Sequence, residues 1–184
     1  MFRRVILVLP LLAACAQTLP PETARLPRDA VVGAGDPARS AVFSTNAVFA
    51  QPQPAAGRPA EAARAIAQME FLAVELPQNT SLGAASATLL PDLMTARQEW
   101  RRVLDIAPEA PAQLVINALF SAGRALDAGQ GDAAAAALPG SLFRKGGPAT
   151  LAQLSALPRL PRTAVAAATA QQSLQAVSGT RPSL

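Results

Sequence analysis

The chain has no histidine and no tyrosine, one cysteine at Cys15 and one lysine at Lys145. Without histidine, the commonest general base, proton shuttle and metal ligand is missing, and the plentiful serines and threonines have no imidazole to activate them. A single cysteine forms no disulfide within the chain, so stability has to come from packing. A metal site would have to be built from oxygen ligands at short regular intervals, whereas the 12 acidic residues are scattered. Glu70 and Glu75 share one expected helix but point to different faces, so they form no carboxylate pair. The sequence therefore assigns no catalytic residue, no metal ligand and no cofactor.

What is present begins at the N-terminus. Arg3 and Arg4 form a positive n-region, and Val5 to Leu12 form an apolar h-region well short of the about 20 residues a membrane span requires. Leu12, Ala13, Ala14 and Cys15 follow, with leucine three before the cysteine and small residues between. This stretch resembles the lipobox of bacterial lipoproteins. The resemblance implies that Cys15 receives a diacylglycerol on its thiol, that a signal peptidase cuts before it, and that residues 1–14 are removed. Each buried methylene adds about 0.8 kcal/mol and a single chain holds a protein only marginally, so several acyl chains on Cys15 would anchor it firmly. Ala16, rather than aspartate, stands in second place. By the sorting rule of such lipoproteins, that implies an outer-membrane, periplasm-facing position in the cell envelope.

Cleavage would also change the charge. The full chain carries 16 basic and 12 acidic residues, a net of +4; losing Arg3 and Arg4 leaves 14 against 12, a net of +2. That balance does not point to nucleic acid. Hydrophobic residues make up 51% of the chain, but many are alanine, which buries little area and favours helix.

From Ala16 to Gly35 proline and scattered charge interrupt any period, and the stretch reads as a tether between anchor and domain. Asp36-Pro37 is a good helix start, with aspartate as cap and proline at the first position, and this helix should turn Val42, Phe43 and Phe49 inward. Ala62, Ile66, Met69, Ala73 and Leu76 then recur at helical spacing, as do Leu93, Ala96, Trp100, Val103 and Ala107 in a segment that Thr88 could cap. Arg101 and Asp105 there form an i,i+4 pair. Pro111 to Ala128 is the most apolar stretch and the expected centre of the fold, with Asn117 inside it. Asp105 to Leu138 is faintly similar to a tetratricopeptide repeat, but no second copy exists and a plain helical hairpin fits better. Short helices should follow from Asp132 and Pro148. A last helix, from Arg162 to Val177, should bury Val165, Ala167, Ala170, Leu174 and Val177, with Gly179 as its cap.

The expected fold is all-α: a single alanine-rich bundle of five or six helices over residues 36–180, after a signal (1–14) and a lipidated tether (15–35) and before a short tail (181–184). The one local basic group, Arg144, Lys145, Arg159 and Arg162 with Phe143 as an apolar anchor, is a candidate contact for anionic lipid or an acidic partner. The expected function is that of a membrane-anchored, non-catalytic interaction or structural module with an envelope protein as partner. The alternative is a carrier of an apolar ligand held between alanine-lined helices. Replacing Cys15 with alanine should abolish acylation and move the protein out of the membrane fraction while its helical circular dichroism is unchanged. Retention of the variant in washed membranes would overturn the anchor.

Overall fold

The computed structural model describes residues 22–31, 35–50, 55–78 and 86–179. The signal segment, the lipobox, Cys15, residues 16–21 of the tether and the C-terminal tail lie outside them. The described residues form seven α-helices and one 3-10 turn, and no strand occurs among them. The helices are α1 (Pro37–Phe49), α2 (Pro59–Glu75), α3 (Leu89–Val103), α4 (Ala112–Asp127), α5 (Gly131–Ala136), α6 (Gly147–Ser155) and α7 (Pro161–Gly179). The all-α expectation holds, and the helix number is seven rather than five or six: both short alanine-rich and Pro148-led segments close a full turn of their own.

Local signals explain several of the helix starts. Asp36 accepts a hydrogen bond from the Ala38 amide at 2.9 Å, and Pro37 occupies the first turn, where a missing N–H costs nothing. Pro59 plays the same part in α2, with Arg58 and Glu61 paired at 2.6 Å beside it. Thr88 stands at the start of α3 but caps nothing; its hydroxyl meets Ser86 at 3.1 Å. At the far end of α3 the chain leaves the helix at Leu104, earlier than the apolar spacing suggests, because Asp105 takes a positive φ of 50°. Ile106 then pairs in an isolated antiparallel bridge with Phe143.

α2 is the element on which the others pack. It meets α4, α1, α3 and α6, while α7 lies against α1 and α3. Twelve of the 17 residues of α2 are buried, against eight of 16 in α4. The expectation that the more apolar α4 is the most enclosed helix is thus corrected. Ala62, Ala63, Ala65, Ala67 and Ala73 leave room for neighbours on every side of α2. In α4, by contrast, Gln113, Leu114, Asn117, Ser121 and Arg124 make one outward face, and Leu114 is 50% exposed. Asn117 is exposed and accepts a hydrogen bond from Gln113 at 2.9 Å. Two other faces differ in part from the spacing: Phe43 and Val165, expected inward, are exposed, whereas Val42 and Ala167 are buried as expected and Thr163 and Ala166 turn inward beside them. Trp100, Phe120, Phe143, Ile66 and Met69 are the bulk that fills the interior.

Small residues set the closest approaches. A Cβ on Gly147 would lie 1.9 Å from the Ala135 carbonyl oxygen, so α6 can start against the end of α5 only because residue 147 lacks a side chain. Gly147→Ala is expected to destabilise the fold by about 1–3 kcal/mol through overpacking, read as a lower urea midpoint with an unchanged m value. Gly140→Ala, where nothing lies within 4 Å, should stay within about 0.5 kcal/mol of the parent.

Candidate functional site

The one strongly polar feature inside the bundle starts from Glu70. It falls between Met69 and Phe71 on α2, its side chain is fully buried, and it faces Arg97, Trp100 and Arg101 of α3. Positions three and four apart on a helix share a face, which is why α3 can aim all three donors at one carboxylate. Trp100 Nε1 donates to Oε2 at 2.8 Å; Arg97 donates to Oε1 from Nε at 2.9 Å and from Nη2 at 2.6 Å. Arg101 donates to Oε1 from Nε at 3.1 Å and also through Nη2. The guanidinium of Arg101 also reaches the loop between α3 and α4, donating to the carbonyls of Pro108 at 3.2 Å and Ala110 at 3.0 Å.

Two partly buried guanidinium groups against one carboxylate would leave a positive excess, and Glu22 removes it. Its Oε2 lies 3.0 Å from Arg97 Nη2, while its Oε1 accepts the Ala112 amide at 2.7 Å. The same carboxylate therefore neutralises the cluster and caps α4, a helix whose N-cap residue, Pro111, offers no side-chain bond of its own. Burial pushes the Glu70 carboxyl upward, but hydrogen bonds from Arg101 and the charge of Arg97 outweigh it and hold the group below its ordinary value of 4.5. Burial likewise works against the charge on Arg97, and the Glu70 carboxylate more than restores it. Both Glu70 oxygens are thus engaged, and the carboxylate crosslinks α2 to α3.

Glu22 belongs to a strap, residues 22–31, that lies on the bundle. Ala24 donates its amide to Glu75 at 2.9 Å. Arg25 and Gln113 form a two-way pair, amide to Oε1 at 2.7 Å and Nε2 to carbonyl at 3.0 Å. Asp29 meets Arg124 at 3.0 Å, and Ala24 and Ala30 are buried. This part of the sequence was expected to be tether; residues 22–31 are instead held, by Glu75 and Gln113 through their backbone and by Arg97 and Arg124 through the carboxylates of Glu22 and Asp29. Two clefts border it. One, of about 630 Å³, lies between the strap, Pro37 and Ala38 of α1, and Phe71, Glu75 and Gln78 near the end of α2. The other, of about 490 Å³, runs between Arg25–Pro27 and the outer face of α4.

Of the residues singled out from sequence, Leu12, Ala13, Ala14 and Cys15 lie outside the described part. Phe143 is completely buried, so it cannot serve as an exposed apolar anchor. Its backbone is bridged to Ile106 and its ring is part of the core, where so large an apolar surface is most stable. Arg144 is exposed and bonded to Asp105, with Nε at 3.0 Å; the expected Arg101–Asp105 pair is replaced because Arg101 turns to Glu70 and Asp105 to Arg144. Lys145, Arg159 and Arg162 are exposed. The Arg162 amide is held at 3.2 Å by Glu99, which also accepts the Thr163 amide and hydroxyl, both at 2.8 Å, and so caps α7 from α3. Sequence reading missed Glu70, Arg97, Trp100 and Glu22; the signal was a single acid set inside an apolar run, opposite an arginine-tryptophan-arginine face. Among the described residues no group of three His, Cys, Asp or Glu is placed to hold a metal, and no helix is long and apolar enough to cross a membrane. Compared with known protein families, curated proteins and solved structures, the chain matches none.

Glu70→Gln should lower stability by about 3–5 kcal/mol, since it leaves two partly buried guanidinium groups facing a neutral amide. A carboxyl whose pKa is depressed by folding stabilises fully above its unfolded value and loses that contribution as pH falls through the folded one. The parent should therefore weaken below about pH 4.5, and the Gln variant should lack that component of the acid limb. Urea midpoints measured from pH 7 to pH 3 test both; an unchanged midpoint at pH 7 would remove the structural role.

Proposed function

We propose that the chain is a lipid-anchored protein of the bacterial cell envelope, held to a membrane through acylated Cys15, whose helical domain acts as a non-catalytic interaction or structural module. The anchor rests on Leu12-Ala13-Ala14-Cys15 behind a basic and apolar leader. For the domain, the observation that carries the reading is the engagement of Glu70. The one acid sealed in the interior has both oxygens occupied by Arg97, Trp100 and Arg101, so its charge is spent on joining helices. Stability obtained from such a cluster, without disulfides, suits a rigid body that presents its surface to a partner. Phe43, Met94, Leu114 and Val165 are the large apolar side chains available there, each about half exposed. The placement drawn from Ala16 is the outer membrane, with the domain facing the periplasm.

The carrier reading would need an enclosed apolar chamber, whereas the two clefts described are open and edged by Arg25, Asp36, Glu75 and Arg124. The module reading is therefore preferred. Cross-linking in intact cells followed by mass spectrometry should give a discrete protein partner, and the same link should weaken when Phe43 or Val165 is changed to glutamate. Lipid co-purifying in stoichiometric amount with a Cys15→Ala variant, with no protein cross-link, would overturn it in favour of the carrier.

A further inference from the structure

The strap changes how far the anchor can reach. If the whole of residues 16–35 were free, a lipidated Cys15 could lie about 70 Å from the start of α1. With the strap seated at Glu22, only residues 16–21 intervene, and even fully extended they reach about 25 Å. A domain of about 150 residues is about 40 Å across. The tether is therefore too short to wrap round the bundle, and the side that carries Glu22 must face the bilayer.

That side is the strap lying on α4, whereas α7 packs chiefly on α1 and α3. Its groove of about 490 Å³ is lined by Arg25 and Leu26 from the strap and by Gln113, Asn117, Ser121 and Arg124 from α4. No carboxylate is among the lining residues; Asp29 stands at the edge, on Arg124 at 3.0 Å. The Arg25 guanidinium makes no ion pair among the described residues, although its backbone is fixed by Gln113. Arg28 is exposed on the same strap, and Leu114, 50% exposed, follows Gln113 on α4. The exposed cations Arg25 and Arg28, with the Asn117 amide and Ser121 hydroxyl beside an exposed leucine, are groups that meet phosphate and the upper acyl region of an anionic leaflet. The neighbouring larger cleft has Asp36 and Glu75 in its wall and is unsuited to an anion.

We infer that the groove between the strap and α4 is the membrane-apposed face of the protein and seats an anionic phospholipid headgroup of the bilayer in which Cys15 is anchored. This rests on the lipoprotein reading above. It also moves the anionic contact away from Arg144, Lys145, Arg159 and Arg162: Arg144 is already bonded to Asp105, and Arg162 opens α7, which packs chiefly on α1 and α3 rather than under the strap.

The acylated Cys15 leaves an introduced cysteine as the only free thiol, which makes the test direct. Full-length lipidated protein carrying Leu114→Cys or Val165→Cys, labelled with a polarity-sensitive fluorophore, is reconstituted into vesicles of phosphatidylethanolamine with phosphatidylglycerol, or of phosphatidylcholine alone. The label at 114 should show a blue shift on the anionic vesicles several-fold larger than on the zwitterionic ones, and the label at 165 should show almost none. Arg25→Glu with Arg28→Glu should remove most of the shift at 114 while the circular dichroism is unchanged, and added salt should reduce it. Equal shifts at 114 and 165, a larger shift at 165, or indifference to lipid charge or to the arginine changes would overturn the inference. The intact mass of the purified protein reports acylation separately. An unacylated Cys15 would overturn the anchor and this inference together, whereas an acylated protein without the shift at 114 would overturn the orientation alone.

Discussion

The bundle depends on one carboxylate. Glu70 is sealed between α2 and α3, and its desolvation is offset only because Arg97, Trp100 and Arg101 all reach it. Each of these donors in turn commits another part of the chain. Arg101 fixes the carbonyls of the loop that leads into α4, and Arg97 holds Glu22, whose second oxygen caps α4. A change at Glu70 would therefore be felt in the α3–α4 loop and the strap as well as at the α2–α3 contact. Apolar packing alone would bring α2 and α3 together but would leave their relative rotation loosely specified, because alanine surfaces slide with little change in buried area. A buried charge cluster with several fixed donors has only one register in which every group is paired.

The same economy appears at the helix ends. Glu99 caps α7 and Glu22 caps α4, each from an element distant in sequence, while only α1 among the longer helices carries a local side-chain cap from Asp36. Capping across elements makes a helix terminus conditional on tertiary structure. It couples helix formation to assembly, which suits a chain whose alanine content makes isolated helices easy to form and their mutual arrangement hard to specify.

The helices themselves were readable, because prolines at 37, 59, 111 and 161 and the recurrence of apolar residues at three and four mark where each begins and which way it turns. The faces were less so. In α1 and α7, alanine lies on several sides, so Phe43 and Val165 drew the inward face toward themselves by size, whereas polar constraints, such as the Glu99 cap that turns Thr163 inward, decided otherwise. Phe143 was misread because its neighbours Arg144 and Lys145 made the loop look solvated; its burial follows from the bridge to Ile106, a contact between segments far apart in sequence. Glu70 gave a weak local signal, since a lone acid in an apolar run has meaning only with its partners on the following helix, α3, about 30 residues on. The strap was hidden for a related reason: nothing in its own residues forms regular structure, and what orders it is supplied by Glu75, Arg97, Gln113 and Arg124.

The strap also joins the start of the described chain to the interior, through Glu22. Displacing Glu22 uncaps α4 and strips Arg97 of one of its two counter-charges in a single step, leaving Glu70 to balance two guanidinium groups. The remaining strap bonds, at Glu75, Gln113 and Arg124, are partly exposed and individually weak. Once Glu22 has gone, these bonds alone hold the strap on the bundle. The charge cluster that fixes the rotation of α2 against α3 is thus also the element that seats the strap on the bundle.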